Sequence, residues 1–236
     1  LDYKVSNHNF DYDPDYIRYQ KEYFDLINAE QGLTSIGTGA DVSDVIVAVI
    51  DSGSPSKDSR AWNSSNWVDG EFDFVSNDFD ATDPSATMEY PDNGSHGTHV
   101  ATTIAAKNDK KNINGFGLKV LPLRALDESG SGYYSWICNA IAYAGQVSND
   151  TGETAPIKAN LINMSLGGGS SCPCQEVIND VYNNGVTIIA SAGNGYVDEN
   201  NYPASCDNVL SVSSIGSTGE KAYYSSFGEK VDISAP

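Results

Sequence analysis

The sequence is short of positive charge. Its 236 residues hold 13 Lys and Arg against 32 Asp and Glu, a formal net charge of -19. A surface of that sign repels phosphate backbones and anionic headgroups, which argues against nucleic acid and membrane surfaces as partners. The plain consequence is a well-solvated surface, one that also suits cations. Long apolar runs are missing too. No stretch of about 18 apolar residues occurs, which excludes a membrane-spanning helix. An initiator Met and a signal peptide are absent, so Leu1 reads as a processed or cut start. Cysteine is sparse: Cys138, Cys172, Cys174 and Cys206 match no common zinc pattern. They allow three full pairings, and Cys172-Pro173-Cys174 is too tight to bridge easily to itself. Two disulfides in an oxidising compartment follow as the expectation. Histidine occurs only three times.

What is present alternates between strand and helix. Residues 44–50 are a continuous apolar, β-branched run after Asp44, the mark of a strand buried on both faces. Residues 119–126, 158–166, 186–190, 209–215 and 231–233 read as further strands. Helices are expected within 15–32, from the His96 loop to Ala106, over 135–144 and over 175–184, with Gly185 as a cap. Residues 1–16 read as an extended arm, 34–44 as a loop and 54–93 as a polar, aromatic insertion loop without helix period. The length suits one large domain over 1–236. Alternation of this kind predicts an α/β fold, a three-layer α/β/α sandwich on a mainly parallel sheet.

Open α/β sheets gather their chemistry at the carboxyl ends of strands. Asp51, Ser165 and Asn194 each follow a strand, and a Gly-bounded loop delivers His96 as its helix begins. An ionised carboxylate ending an apolar strand is costly without a partner. An imidazole that donates its Nδ1–H is such a partner, and the carboxylate in turn fixes the tautomer for proton transfer. Taken singly, Asp51 is a turn residue before Ser52-Gly53, His96 a half-buried packing residue and Asn194 a left-handed turn residue. Metal binding by His96 and His99 is a weak alternative, since no third His or Cys lies nearby in sequence. Asn194 would donate to a developing negative charge. Ser165-Leu166-Gly167-Gly168 suits a peptide lying antiparallel beside it.

In this order the stretches VIVAVIDSG (45–53), GSHGTHVATTIAA (94–106), SGSGYYSWICNAI (129–141), LINMSLGG (161–168), ASAGN (190–194) and YPASCDNVLSVSSI (202–215) resemble the subtilisin-like serine proteases, from about Asp13 onward. The resemblance implies a secreted, extracellular, monomeric endopeptidase acting on proteins or peptides. It also implies synthesis as a zymogen with an N-terminal propeptide, and no organic cofactor. It casts Asp51 as the residue orienting the imidazole, His96 as general base and acid, and Asn194 as oxyanion donor. Gly130-Ser131-Gly132 and Ser165-Leu166-Gly167 become the two edges clamping the substrate. Tyr134 borders a distal subsite, Asn201 lies near the floor of the primary specificity pocket, and His99 is structural. Asp198 and Glu199 read as a pocket rim favouring basic or polar residues or, more plainly, as a solvated loop. Relatives suggest Cys206 bridged to Cys172 or Cys174, with Cys138 taking the other.

The chain also departs from the family pattern. The nucleophile sits in a Gly-Thr-Ser-Met-Ala-like segment that no stretch here matches. The catalytic domain is therefore read as C-terminally incomplete, its Ser beyond residue 236 in a missing segment. The 236 residues alone are expected to be inactive. A catalytically inactive peptide-binding protein of the same fold is the alternative, and an acidic calcium-binding domain a second. Thr102 stands where relatives carry Gly. Residues 107–117 resemble a structural calcium loop, in which Asn108, Asp109, Asn112 and Asn114 would supply hard oxygen ligands, although three lysines crowd it.

Overall fold

Strand β1, Ile46–Asp51, is buried along its whole length. Side chains of a strand point alternately to its two faces. Ile46, Ala48 and Ile50 join one apolar cluster, whereas Val47 and Val49 join another on the opposite face. The period places Asp51 on the second face, and the geometry of the site follows from that parity.

The computed structural model describes residues 20–29, 31–32, 44–84, 95–106, 114–198 and 200–236. The other strands are β2, Phe72–Asp73; β3, Lys119–Arg124; β4, Leu161–Met164; β5, Thr187–Ser191; β6, Val209–Ser214; and β7, Ile233–Ala235. Among the described residues they form one seven-stranded sheet in the order β2-β3-β1-β4-β5-β6-β7, every pair parallel. Helix α1 is Lys21–Leu26, α2 His96–Ala105, α3 Tyr134–Gly145 and α4 Gln175–Asn183. Ile137 and Ile141 of α3 and Ile178 and Val181 of α4 cover the face bearing Ile46, Ile50, Ile162 and Met164. Ala101 and Ala105 of α2, with Trp62 and Trp67, cover the face bearing Val47, Val49 and Val120. Each fully buried Val, Leu or Ile contributes about 1.5–3 kcal/mol. Helices on both faces make the expected α/β/α arrangement.

Several boundaries differ from the sequence reading, each for a local reason. β3 stops at Arg124 because the N–H groups of Ala125 and Leu126 both turn to the Asp51 carbonyl, at 2.9 and 3.1 Å. The last strand begins at Ile233 and not at Val231, whose N–H closes a turn on Gly228 O. β2 emerges from the aromatic insertion, with Phe72 packed on Phe74, Phe79 and Tyr143. Thr102 is buried, and its hydroxyl donates to the carbonyls of Thr98 and His99 at 2.8 and 3.0 Å, so the site usual for Gly is filled without an orphaned polar group. The arm 1–16, the loop residues 34–43 and residues 85–94 of the insertion lie outside the described residues. No helix among the described residues is long and apolar enough to cross a membrane.

Candidate active site

The strand order reverses at β1: β3 lies to one side of it and β4 to the other. A crevice opens beyond the carboxyl ends at such a reversal. Here it has a volume of about 650 Å³ and is lined by Ser52, His96, Leu126, residues 129–132, Tyr134, Ile137, residues 165–169 and Tyr202.

Asp51 ends β1 with its side chain 0% exposed, on the face that α2 covers. His96 is the first residue of α2, and its Nδ1 lies 2.8 Å from Asp51 Oδ1 across a separation of 45 residues. The Ser52 N–H donates to the same oxygen at 2.8 Å. These two donors, and the positive end of α2, offset the cost of burying the carboxylate. Asp51 Oδ2 is buried and without a partner among the described residues, so the stabilisation of this carboxylate is concentrated on the oxygen that faces His96. The His96 side chain is 53% exposed, so the ring reaches from a buried anchor into the crevice. Its pKa is raised above the usual 6.5, first by the Asp51 hydrogen bond and further by the charges of Asp51 and Asp83, against a lowering by burial. Asp51 and His96 together make an oriented base of adjustable charge, the arrangement that moves a proton to and from a bound group.

α2 can approach β1 this closely because of Gly97. A Cβ there would lie 2.1 Å from Gly53 O and 3.0 Å from Asp51 Cβ. Gly53 itself has φ +117 and packs against Asp83 and Ala81.

Two backbone segments border the crevice. After β3, Asp127 Oδ1 accepts from Ser129 N, Ser129 Oγ and Ser131 N at 2.9, 2.6 and 3.1 Å, shaping the Gly130-Ser131-Gly132 edge. The Ser129 hydroxyl and these amides hold the Asp127 carboxyl below its usual range. After β4, Ser165-Leu166-Gly167 forms the opposite edge, anchored where Gly168 N–H donates to Tyr202 O at 2.9 Å. Tyr134 opens α3 and spans from one edge to the other, its hydroxyl donating to Gly168 O at 2.5 Å. Burial pushes that phenol up. The Asn201 amide is wedged against Gly167 and donates to Ser191 O at 3.0 Å. Disulfides Cys138–Cys174 and Cys172–Cys206 brace the second edge from α3 and from the turn after Tyr202; of the two candidate partners, Cys206 takes Cys172.

The other predicted residues are not all gathered here. Asn194 follows β5, the second strand from β1 on the β4 side, and is exposed; it is not among the residues lining the crevice. His99 is exposed on α2, where its carbonyl and not its ring serves the fold by accepting the hydroxyls of Thr102 and Thr103. Asp198 lines a separate cavity of about 20 Å³ with Asn200, Phe227 and Lys230, and is not on the crevice rim. Asn108, Asp109, Asn112 and Glu199 lie outside the described residues, and Asn114 is buried. Among the described residues no group of three or more His, Cys, Asp and Glu is placed to hold a metal. Sequence reasoning missed Ser52, Asp83 and Asp127. The Asp-x-Ser-x-Ser spacing at 127–131 was a legible turn signal, whereas nothing local marks Asp83.

The model of the subtilase family matches residues 42–236. The chain belongs to the subtilase family. Among relatives of this subtilase, an extracellular protease of Xanthomonas campestris pv. campestris is 39% identical over 188 residues, which are 76% of this chain and 30% of that protein. Subtilisin amylosacchariticus of Bacillus subtilis subsp. amylosacchariticus is 37% identical over 201 residues, 82% of this chain and 47% of that protein. The subtilase chain thus spans less than half the length of either. A solved structure of a protease from Pseudoalteromonas arctica superposes with a TM-score of 0.76 at 32% identity, covering 95% of this chain and 71% of that one. A cold-adapted subtilisin-like serine proteinase superposes with a TM-score of 0.67 at 29% identity, covering 83% and 64%.

Proposed function

We propose that this subtilase chain carries two of the three catalytic groups of a secreted serine endopeptidase. The observation that carries the reading is the 2.8 Å hydrogen bond between His96 Nδ1 and buried Asp51, at the mouth of a crevice with two peptide-like edges. The nucleophilic Ser belongs to a segment beyond residue 236, which the greater length of the relatives supports. Exposed Ile233 and Leu210 on the terminal strands offer apolar surface for that segment to cover.

In the reaction, His96 Nε2 takes the proton from the Ser hydroxyl as its oxygen attacks the scissile carbonyl. Asp51 holds the resulting imidazolium. Asn194 donates to the carbonyl oxygen as it becomes an oxyanion, and His96 returns the proton to the leaving amine. Water, deprotonated by His96, then hydrolyses the acyl-enzyme. The substrate main chain lies between Gly130-Ser131-Gly132 and Ser165-Leu166-Gly167 as an added strand, with Tyr134 at the distal end and Asn201 by the primary side-chain pocket. Extracellular location is supported by the two disulfides and by the name of the Xanthomonas relative. A propeptide and a monomeric state belong to the same reading.

Structural calcium is part of the proposal. Neither Oδ1 nor Nδ2 of the buried Asn114 amide has a partner among the described residues, which leaves its oxygen open to a hard cation. Chelation is then expected to lower Tm; an unchanged Tm refutes it.

The test of the enzyme reading is peptide hydrolysis by the full-length protein, with labelling by a serine-directed phosphonate. Hydrolysis and labelling lost in His96→Ala support it. Peptide binding without hydrolysis or labelling assigns the protein to the inactive, peptide-binding alternative.

A further inference from the structure

Asp83 lies in the aromatic excursion between β2 and α2, outside all six stretches that carry the family resemblance, yet its carboxylate is fully buried. It is held there by a backbone ladder: Ser54 N–H donates to Ala81 O at 3.1 Å and Asp83 N–H to Ser54 O at 2.8 Å. One oxygen, Oδ2, collects three donors. Ser52 Oγ–H reaches it at 3.3 Å, Thr98 Oγ1–H at 3.0 Å and Thr98 N–H at 3.4 Å. Ser52 Oγ in turn accepts the Gly97 N–H at 3.0 Å, while Ser52 N–H donates to Asp51 Oδ1.

Together these contacts join the end of β1, the excursion and the first turn of α2. Residues 97 and 98 follow His96, and residue 52 follows Asp51. The N-cap of α2, Ser95, is left-handed and caps nothing with its side chain. The orphan N–H groups of the first turn need acceptors from elsewhere, and Ser52 and Asp83 supply them. A carboxylate beside a helix N-terminus also interacts favourably with the helix dipole.

We propose that Asp83 is a positioning residue of the proton-transfer site: through Ser52 and Thr98 it clamps the start of α2 onto β1 and so sets the His96–Asp51 hydrogen bond. The inference rests on the enzyme reading above. Asp83 also places a second buried negative charge near the imidazole. The charges that act on His96 are Asp51 from β1 and Asp83 from the excursion; Arg124 at the end of β3, the sheet neighbour of Asp51, is paired with Asp73, and His99 lies three residues along α2. Removal of the Asp83 charge therefore makes the imidazolium harder to form.

The test uses full-length protein with Asp83→Ala, Asp83→Asn and Ser52→Ala. In Asp83→Ala, kcat falls about tenfold or more while KM stays within about twofold, since a displaced base impairs the chemical step and not binding. Asp83→Asn, which keeps an acceptor, restores most of kcat, but the acid limb of its pH–rate profile lies at lower pH than in the parent. Ser52→Ala falls between. Wild-type kcat in Asp83→Ala, or an unshifted acid limb in Asp83→Asn, overturns the proposal. Imidazole titration by NMR, with His96 assigned from His96→Ala, reads the same charge effect without turnover. A lower midpoint in Asp83→Asn supports the role of Asp83 and an unchanged one refutes it, whereas absence of hydrolysis in the parent counts against the enzyme reading alone.

Discussion

Gly97→Ala tests whether the approach of α2 to β1 sets the chemistry. The added methyl would stand 2.1 Å from Gly53 O, roughly 1 Å inside van der Waals contact, and 3.0 Å from Asp51 Cβ. The obstacle is the Gly53 carbonyl, two residues past a fully buried strand and packed against Ala81 and Asp83, so it does not give way. The helix start moves instead, by something near the overlap. Two costs follow. Overpacking of this kind destabilises by about 1–3 kcal/mol. That corresponds to a fall in Tm of about 2–12 °C for a domain of this size. The larger effect is on rate, because a displacement of about 1 Å costs on the order of a hundredfold. The assay is kcat/KM for peptide hydrolysis by the full-length protein beside its thermal unfolding. Gly32→Ala is the control, since its methyl would meet nothing within 4 Å; it is expected to alter neither quantity. A Gly97→Ala enzyme with parental kcat/KM refutes the claim that this glycine governs the placement of His96.

With Asn194 as the oxyanion donor proposed above, Asn194→Ala is expected to lower kcat by about 10²–10³ with KM little changed; an equal loss in KM and none in kcat contradicts that role. His96 must be neutral to act as base, and its pKa is raised by Asp51 above 6.5. The rate should therefore rise with pH through a midpoint above that value, and a midpoint below it counts against the Asp51–His96 pair. The same shift has a stability sign: protonated His96 stabilises the fold below the unfolded pKa, and the gain is lost as pH rises through the folded value. The Tm difference between parent and His96→Ala should shrink over that interval. Joint replacement of Cys172 and Cys206 by Ala frees a loop with a separation of 34 residues, a loss of about 4 kcal/mol by chain entropy. A Tm lower by about 8–16 °C is expected from calorimetry, and an unchanged Tm refutes the bracing role.

The core strands were legible because a parallel strand covered on both faces must be apolar throughout, as residues 45–50 are. The abrupt change to Asp51 marked the carboxyl end for the same reason. The glycines of the two edges were legible only as an ensemble, since each has an ordinary turn reading. β2 was hidden because two residues carry no period, and it exists through Phe72 and Asp73 pairing with Leu123 and Arg124. Asp83 was hidden for a deeper reason. Its partners, Ser52 and Thr98, stand 31 and 15 residues away, and no local pattern distinguishes it from the many solvated acids of an acidic chain.

That difference bears on how the site is built. In the proposed reading, the groups that meet substrate stand at strand ends and a helix start, where regular elements impose their position. Asp83, which holds the proton-transfer pair in register in the same reading, comes from an irregular insertion, where only long-range contact identifies it. A carboxylate buried within such an insertion and bonded to both elements of the proton-transfer pair costs free energy unless its donors are fixed. Ser52 and Thr98 are fixed by β1 and α2, so the insertion and the catalytic geometry stabilise each other. Loosening the insertion should then act on kcat before it acts on the sheet, because the core clusters on either face of β1 do not depend on Asp83.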